Sequence, residues 1–183
     1  MSDEGAVVEF RGVDLQRLRS LAVGLHRHLP PQVVIALQGT LGAGKTRFAQ
    51  EIAVAAGIDV GDVTSPTFTL VQHYEGSRRI HHIDAYRLAD EDEFIELGGE
   101  ELFEDEALVL VEWPQRIARS LPGRTLFLEI EIEEHAGEAD SVNGPAAPQP
   151  ATRTIRARSR DAALMTVLRT VQSELPGSDG TSG

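Results

Sequence analysis

A chain of 183 residues with 41% apolar content is long enough for one domain with a real core, and its lack of cysteine excludes disulfides, thiolate metal sites and cysteine nucleophiles. Seventeen basic residues against 29 acidic ones leave a formal charge of −12, so most of the surface repels phosphate backbones; this argues against DNA or independent RNA binding and for a protein partner, although solubility alone also accounts for such a balance. No apolar run of about eighteen residues occurs and the acidic start Met1-Ser2-Asp3-Glu4 has no apolar stretch, so neither a membrane span nor a signal peptide is expected, and a cytoplasmic location is.

Residues 6–10 read as a short strand. Asp14 can cap a helix in which Leu15, Leu18, Leu21, Ala22 and Leu25 recur at helical spacing, until Leu29-Pro30-Pro31 stops it. Val33-Val34-Ile35-Ala36-Leu37 is a continuous apolar run, as expected for a strand buried on both faces. A glycine-rich loop follows, then a helix from Lys45 to about Ala56, closed by Gly57. Thr67–Tyr74 and Arg79–Ala85 read as a hairpin around Glu75-Gly76-Ser77, and residues 90–106 as an acidic helical stretch. Ala107–Val111 is a second buried-strand run, ending at Glu112-Trp113-Pro114, and a short helix is expected over 114–119.

Residues 125–133 and 152–159 alternate apolar and charged positions like two pairing strands. Between them, the Ala/Pro/Gly-rich residues 136–151 read as a flexible insertion within that hairpin. A helix over 161–175 completes a single domain covering 1–175, and 176–183 is expected to be a disordered tail.

The loop Gly39-Thr40-Leu41-Gly42-Ala43-Gly44-Lys45-Thr46 fits the phosphate-binding pattern G-x-x-x-x-G-K-[ST], and it leaves a buried strand to open a helix, as that mechanism requires. Glycines let successive backbone amides turn inward as an anion nest, and the helix directs its positive dipole end at the same phosphates. Lys45 adds a mobile charge for the β- and γ-phosphates of ATP, and the Thr46 hydroxyl is a candidate ligand for Mg2+. Magnesium usually takes carboxylate help. Glu112 directly follows a buried strand, and Asp84 ends the other extended segment; either can hold a metal-bound water or orient an attacking one. The alternative for both is a solvated carboxylate at a strand end.

Ser65-Pro66-Thr67-Phe68 combines a stiff proline with two hydroxyls, a composition suited to a segment ordered by a γ-phosphate, although an ordinary strand entry is also open. Trp113 either packs beside the site or plugs the core. His81 and His82 face opposite ways on an extended segment and cannot chelate one metal together; a core or surface role is expected. Arg87 is a candidate phosphate sensor or a surface residue.

Taken together, four blocks resemble the TsaE (YjeE) family, the ATPase component of bacterial tRNA threonylcarbamoyladenosine synthesis. They are the phosphate loop, Thr64–Val71, His82-Ile83-Asp84-Ala85-Tyr86-Arg87-Leu88 and Val111-Glu112-Trp113-Pro114. The resemblance covers about residues 6–135. It implies a three-layer α/β P-loop NTPase-like domain with a mixed, mostly parallel central sheet. It also implies that Lys45 grips phosphates, that Thr46 and Glu112 serve magnesium, that Asp84 is needed for turnover and that Trp113 flanks the nucleotide. Ser65–Phe68 and Asp84–Arg87, with Tyr86, would be switch segments. The implied partners are the proteins TsaB and TsaD, with tRNA reached only through their complex. Arg47 and Ala85 depart from the family's pattern, and 136–151 has no assignable counterpart. Two other readings use the same loop: a small-molecule kinase, which needs an arginine-bearing lid that Arg78, Arg79 and Arg87 do not recognisably form, and a nucleotide-gated binding module without turnover.

Overall fold

The two uninterrupted apolar runs pair with each other at the centre of the molecule. In the computed structural model, which describes residues 6–133 and 151–175, β2 (Val33–Gln38) lies parallel to β5 (Leu108–Glu112), with Val33 opposite Leu108 and Leu37 opposite Glu112. β6 (Leu126–Ile132) continues the parallel array on the other side of β2, and β4 (Arg79–Asp84) does so beyond β5. Antiparallel pairs finish both edges: β3 (Val71–Glu75) lies on β4, and β7 (Arg153–Arg158) joins β6 to the outermost β1 (Val8–Val13). The order is β1-β7-β6-β2-β5-β4-β3, and every strand except β3 and β7 runs in one direction, which makes the sheet mixed and mostly parallel.

Strand periodicity then divides the core in two. On one face, Ile35, Leu37, Leu110 and Leu128 meet side chains of α1 (Leu15–His28), α2 (Lys45–Ala55) and α4 (Ala162–Glu174), including Leu21, Phe48, Ile52 and Leu168. On the other, Val34, Ile83, Val109 and Val111 meet Phe94 of the short α3 (Glu91–Glu96) and Phe103 and Ile117 of two 3-10 turns. This is the expected three-layer α/β architecture. Asp14, Asp90 and Asp161 cap α1, α3 and α4 by accepting backbone amides in the first turn, whereas α2 starts at Gly44 with no side-chain cap. No helix among the described residues is long and apolar enough to cross a membrane.

Three local expectations differ. Thr67–Leu70 is a turn and not part of β3: Pro66 O accepts from Thr69 N and Leu70 N, and Leu70 takes a left-handed φ of 65°. The acidic stretch 90–106 is broken by Gly98 at φ 72°, so α3 is short and a 3-10 turn over Gly99–Phe103 follows. The helix expected over 114–119 is one 3-10 turn, Pro114–Ile117. Most of the expected insertion and the expected tail lie outside the described residues.

Two histidines are expected to make stability depend on pH. Burial pushes His26 and His73 below the ordinary imidazole value of 6.5, helped by the Arg78 guanidinium at His26 and by His81 at His73. The unfolded chain takes up these protons near pH 6.5 while the folded chain resists them, so stability is retained above that pH and falls as pH drops through it. Chemical-denaturation midpoints measured from about pH 7.5 to 5.5 are expected to decline. A His26→Gln/His73→Gln double variant is expected to show a shallower decline, and equal slopes for the two proteins would remove both histidines from the effect.

Candidate nucleotide site

The phosphate loop leaves the carboxyl end of β2, and its shape depends on positions that a side chain would spoil. Gly39 has φ 149°, and a Cβ there would lie 2.5 Å from the backbone oxygen of Ile130. Gly44, the N-cap of α2, has φ 113°. Ala43 N donates to Thr40 O at 3.2 Å, closing the loop on itself. With no side chain capping α2, its first-turn amides are available to an anion, and α2 is a three-turn helix whose dipole adds to the attraction.

Lys45 is buried within this curve. Its ammonium donates to Gly39 O and Thr40 O, both at 2.9 Å, and lies 3.9 Å from the centre of the Trp113 ring. Burial pushes its pKa below the ordinary lysine value, while the nearby Glu112 and Asp84 carboxylates pull it back up. The group is a desolvated cation whose charge is only partly answered by the protein, which suits it to an anionic ligand.

The carboxylates arrive from the sheet. β4 and β5 are parallel with Asp84 opposite Glu112, so both side chains emerge at the edge from which the loop springs. Thr46 Oγ1 donates to Glu112 Oε1 at 2.8 Å. Asp84 Oδ2 accepts from Ser65 Oγ at 3.1 Å and Thr67 Oγ1 at 2.6 Å, and its Oδ1 accepts from Tyr86 N at 3.0 Å. One carboxylate therefore faces the loop helix, and the other ties the two segments of the expected switch together. Trp113 sits at φ 59° directly before Pro114, a conformation that turns the chain sharply after Glu112, and its ring meets Tyr86 at 5.0 Å.

These groups surround a cavity of about 270 Å³. Leu41, Gly42, Gly44, Lys45, Thr46 and Arg47 line it from the loop side; Ser65, Thr67, Asp84, Tyr86, Glu112 and Trp113 line it from the sheet side. Gly39, Thr40 and Ala43 build the loop behind that lining. Pro66, Phe68 and Arg87 do not line it: Phe68 is 86% exposed, with the Arg87 guanidinium 4.2 Å above its ring. A larger cavity of about 1140 Å³ lies between Leu121–Gly123 and Arg158–Arg160, at the opposite end of the strands, and none of the groups discussed above reaches it.

Among the described residues no cluster of three or more His, Asp or Glu side chains could hold a metal by itself. The site offers the Thr46 hydroxyl from α2 and the Glu112 carboxylate from β5, two hard oxygen donors. That set fits magnesium, which keeps several waters and shares its remaining positions with phosphate oxygens.

Three contributors were not assigned to the site from the sequence. Arg153, at the start of β7, donates from Nε to Ala43 O at 2.8 Å and from Nη1 to Ala151 O at 3.0 Å, so the far hairpin braces the loop from behind. In the sequence it is only one charged residue in an alternating strand. Arg47 pairs with Glu51 at 2.8 Å, and Arg19 reaches the same buried carboxylate at 3.2 Å, fixing α2 to α1. His81 and His82 do face opposite sides and are both buried, but His82 Nε2 lies 2.9 Å from Glu112 Oε1, inside the constellation.

The chain matches known proteins over the same region. The family model for the threonylcarbamoyl adenosine biosynthesis protein TsaE matches residues 13–141. A Treponema pallidum protein is 38% identical over 99 residues, covering 54% of this chain and 73% of its own length. One from Bacillus subtilis is 36% identical over 125 residues, covering 68% of this chain and 77% of its own length. Both carry the name tRNA threonylcarbamoyladenosine biosynthesis protein TsaE. In fold, the chain is similar to the crystal structure of Bacillus subtilis YdiB, with a TM-score of 0.66, 24% identity, and coverage of 94% of this chain and 98% of that one. The phosphate loop, both carboxylates and the tryptophan all fall within the matched residues, and the chain belongs to the TsaE family.

Proposed function

We propose that this chain binds ATP with Mg2+ at residues 39–46 and hydrolyses it in support of threonylcarbamoylation of a tRNA adenosine beside the anticodon. The observation that carries the reading is the Thr46 hydroxyl held 2.8 Å from the buried Glu112 carboxylate at the start of an uncapped helix behind a G-x-x-x-x-G-K-T loop. In this reading the α2 amides and Lys45 hold the triphosphate, and Thr46 and Glu112 hold the ion. Magnesium, when bound, supplies positive charge that offsets the charge developing on the transferred phosphoryl group. Trp113 and Tyr86 flank the mouth. Asp84 either orients the attacking water or sets the switch segments, since it already gathers Ser65, Thr67 and Tyr86 N.

The partners in this proposal are TsaD and TsaB, and the site of action is the cytoplasm. The formal net charge of −12 supports a protein interface over a direct grip on tRNA, and supports neither DNA nor membrane binding. The test is a reconstituted modification reaction with TsaB, TsaD, tRNA and ATP, run for many turnovers with and without this chain while ADP is followed. Repeated turnover that needs the chain, with ADP release accelerated on mixing, is expected. Equal product without it, or ADP release that stays unstimulated, would overturn the proposal.

A further inference from the structure

We propose that His82 is a positioning residue for the Glu112 carboxylate, holding it in the orientation that serves the ion. This inference rests on the magnesium reading of the site. On β4, the residues two apart share a face, so His82 and Asp84 both point to the side of the sheet covered by α2. His82 is fully buried and Glu112 is 3% exposed, and Nε2 and Oε1 lie 2.9 Å apart. The same Oε1 accepts from Thr46 Oγ1 at 2.8 Å. A carboxylate oxygen accepts, so His82 Nε2 is the donor in this contact. Nδ1 is buried and has no hydrogen-bond partner among the described residues, which leaves Glu112 as the one hydrogen-bond partner of the His82 ring among them.

That arrangement separates the two carboxylate oxygens. Oε1 takes two donors from different elements, one on β4 and one on α2, while no hydrogen bond from the described residues engages Oε2 on a side chain that lines the cavity. Thr46 alone cannot fix the carboxylate plane, because its hydroxyl rotates and its oxygen is itself a candidate ligand. The imidazole, packed in a strand, supplies the rigid second anchor. Groups that orient a metal's ligands in this way change metal affinity by about 10- to 100-fold when removed. A histidine serving only to fill the core would be replaceable by an apolar ring.

The experiment compares His82→Phe, which removes the donor, with His82→Gln, whose side-chain amide restores a donor near the Nε2 position. Calorimetry gives nucleotide affinity in EDTA and across a magnesium titration, and turnover gives the magnesium midpoint. His82→Phe is expected to raise that midpoint by about tenfold with EDTA affinity within about twofold of wild type, and His82→Gln is expected to recover most of the loss. If the Phe variant does not fold, His82→Asn takes its place, since its amide sits near the Nδ1 position and does not reach Glu112. A wild-type magnesium midpoint in a folded donor-less variant overturns the inference, as does equal impairment of the Gln and donor-less variants. If nucleotide affinity of the wild-type chain ignores magnesium, the metal reading itself fails; if it responds and the donor-less variant responds alike, only the role of His82 fails.

Discussion

Lys45→Ala is expected to reduce nucleotide affinity by about a hundredfold or more, with the fold intact. The reason is the scarcity of positive charge at the cavity. Arg47 also lines the cavity, but its guanidinium is paired with Glu51, and Arg153 donates to the Ala43 and Ala151 carbonyls from behind the loop. Arg87 lies over Phe68, outside the lining. Without Lys45, a triphosphate would meet the α2 amides together with two uncompensated carboxylates, Asp84 and Glu112, in a chain already at −12. Truncating one partner of a close, desolvated charge pair typically costs about 2–5 kcal/mol, which spans roughly thirty-fold to several-thousand-fold in affinity. The fold should tolerate the change. The two bonds to Gly39 O and Thr40 O are lost, but so is the cost of burying an ammonium, the same cost that pushes its pKa down. Calorimetry with ATP and magnesium, beside a thermal melt, checks both halves. A folded Lys45→Ala protein with wild-type affinity would place the triphosphate elsewhere.

The parts of this site that a reader of the sequence can find are those where chemistry fixes spacing. Gly39, Gly44, Lys45 and Thr46 stand at set offsets because a nest, a charge and a hydroxyl must converge on one anion. β2 and β5 are equally legible, since burial on both faces demands unbroken apolar runs. Alternation also separates His81 from His82 correctly. Tertiary pairing leaves no such trace. That Asp84 and Glu112 share an edge depends on β4 lying next to β5 in register, and strand order is not written in the period of either strand. Arg153 touches the loop across 110 positions of chain, because β7 folds back against β6. The Thr67–Leu70 turn was hidden for a local reason: its hydroxyls and apolar residues alternate like a strand, while Pro66 and the left-handed Leu70 turn the chain before β3 begins.

The magnesium reading is tested most sharply by Glu112→Gln, which keeps the size of the side chain and an oxygen able to accept from Thr46 and His82. If the carboxylate serves the ion, the two measurable quantities should move apart. Magnesium-dependent hydrolysis is expected to fall by about a hundredfold or more, because a neutral amide is a poor ligand for a hard cation and offsets none of its charge. Nucleotide affinity in EDTA is expected to hold or rise, because one of the two negative charges facing the triphosphate is gone. The same loss should raise the affinity of the loop for phosphate groups relative to its affinity for the metal complex, reversing the order expected of the wild-type chain. A variant that weakens binding equally with and without magnesium would point to a different role: Glu112 would then be bracing Thr46 and the first turn of α2, and the ion would have to be held by groups outside this pair.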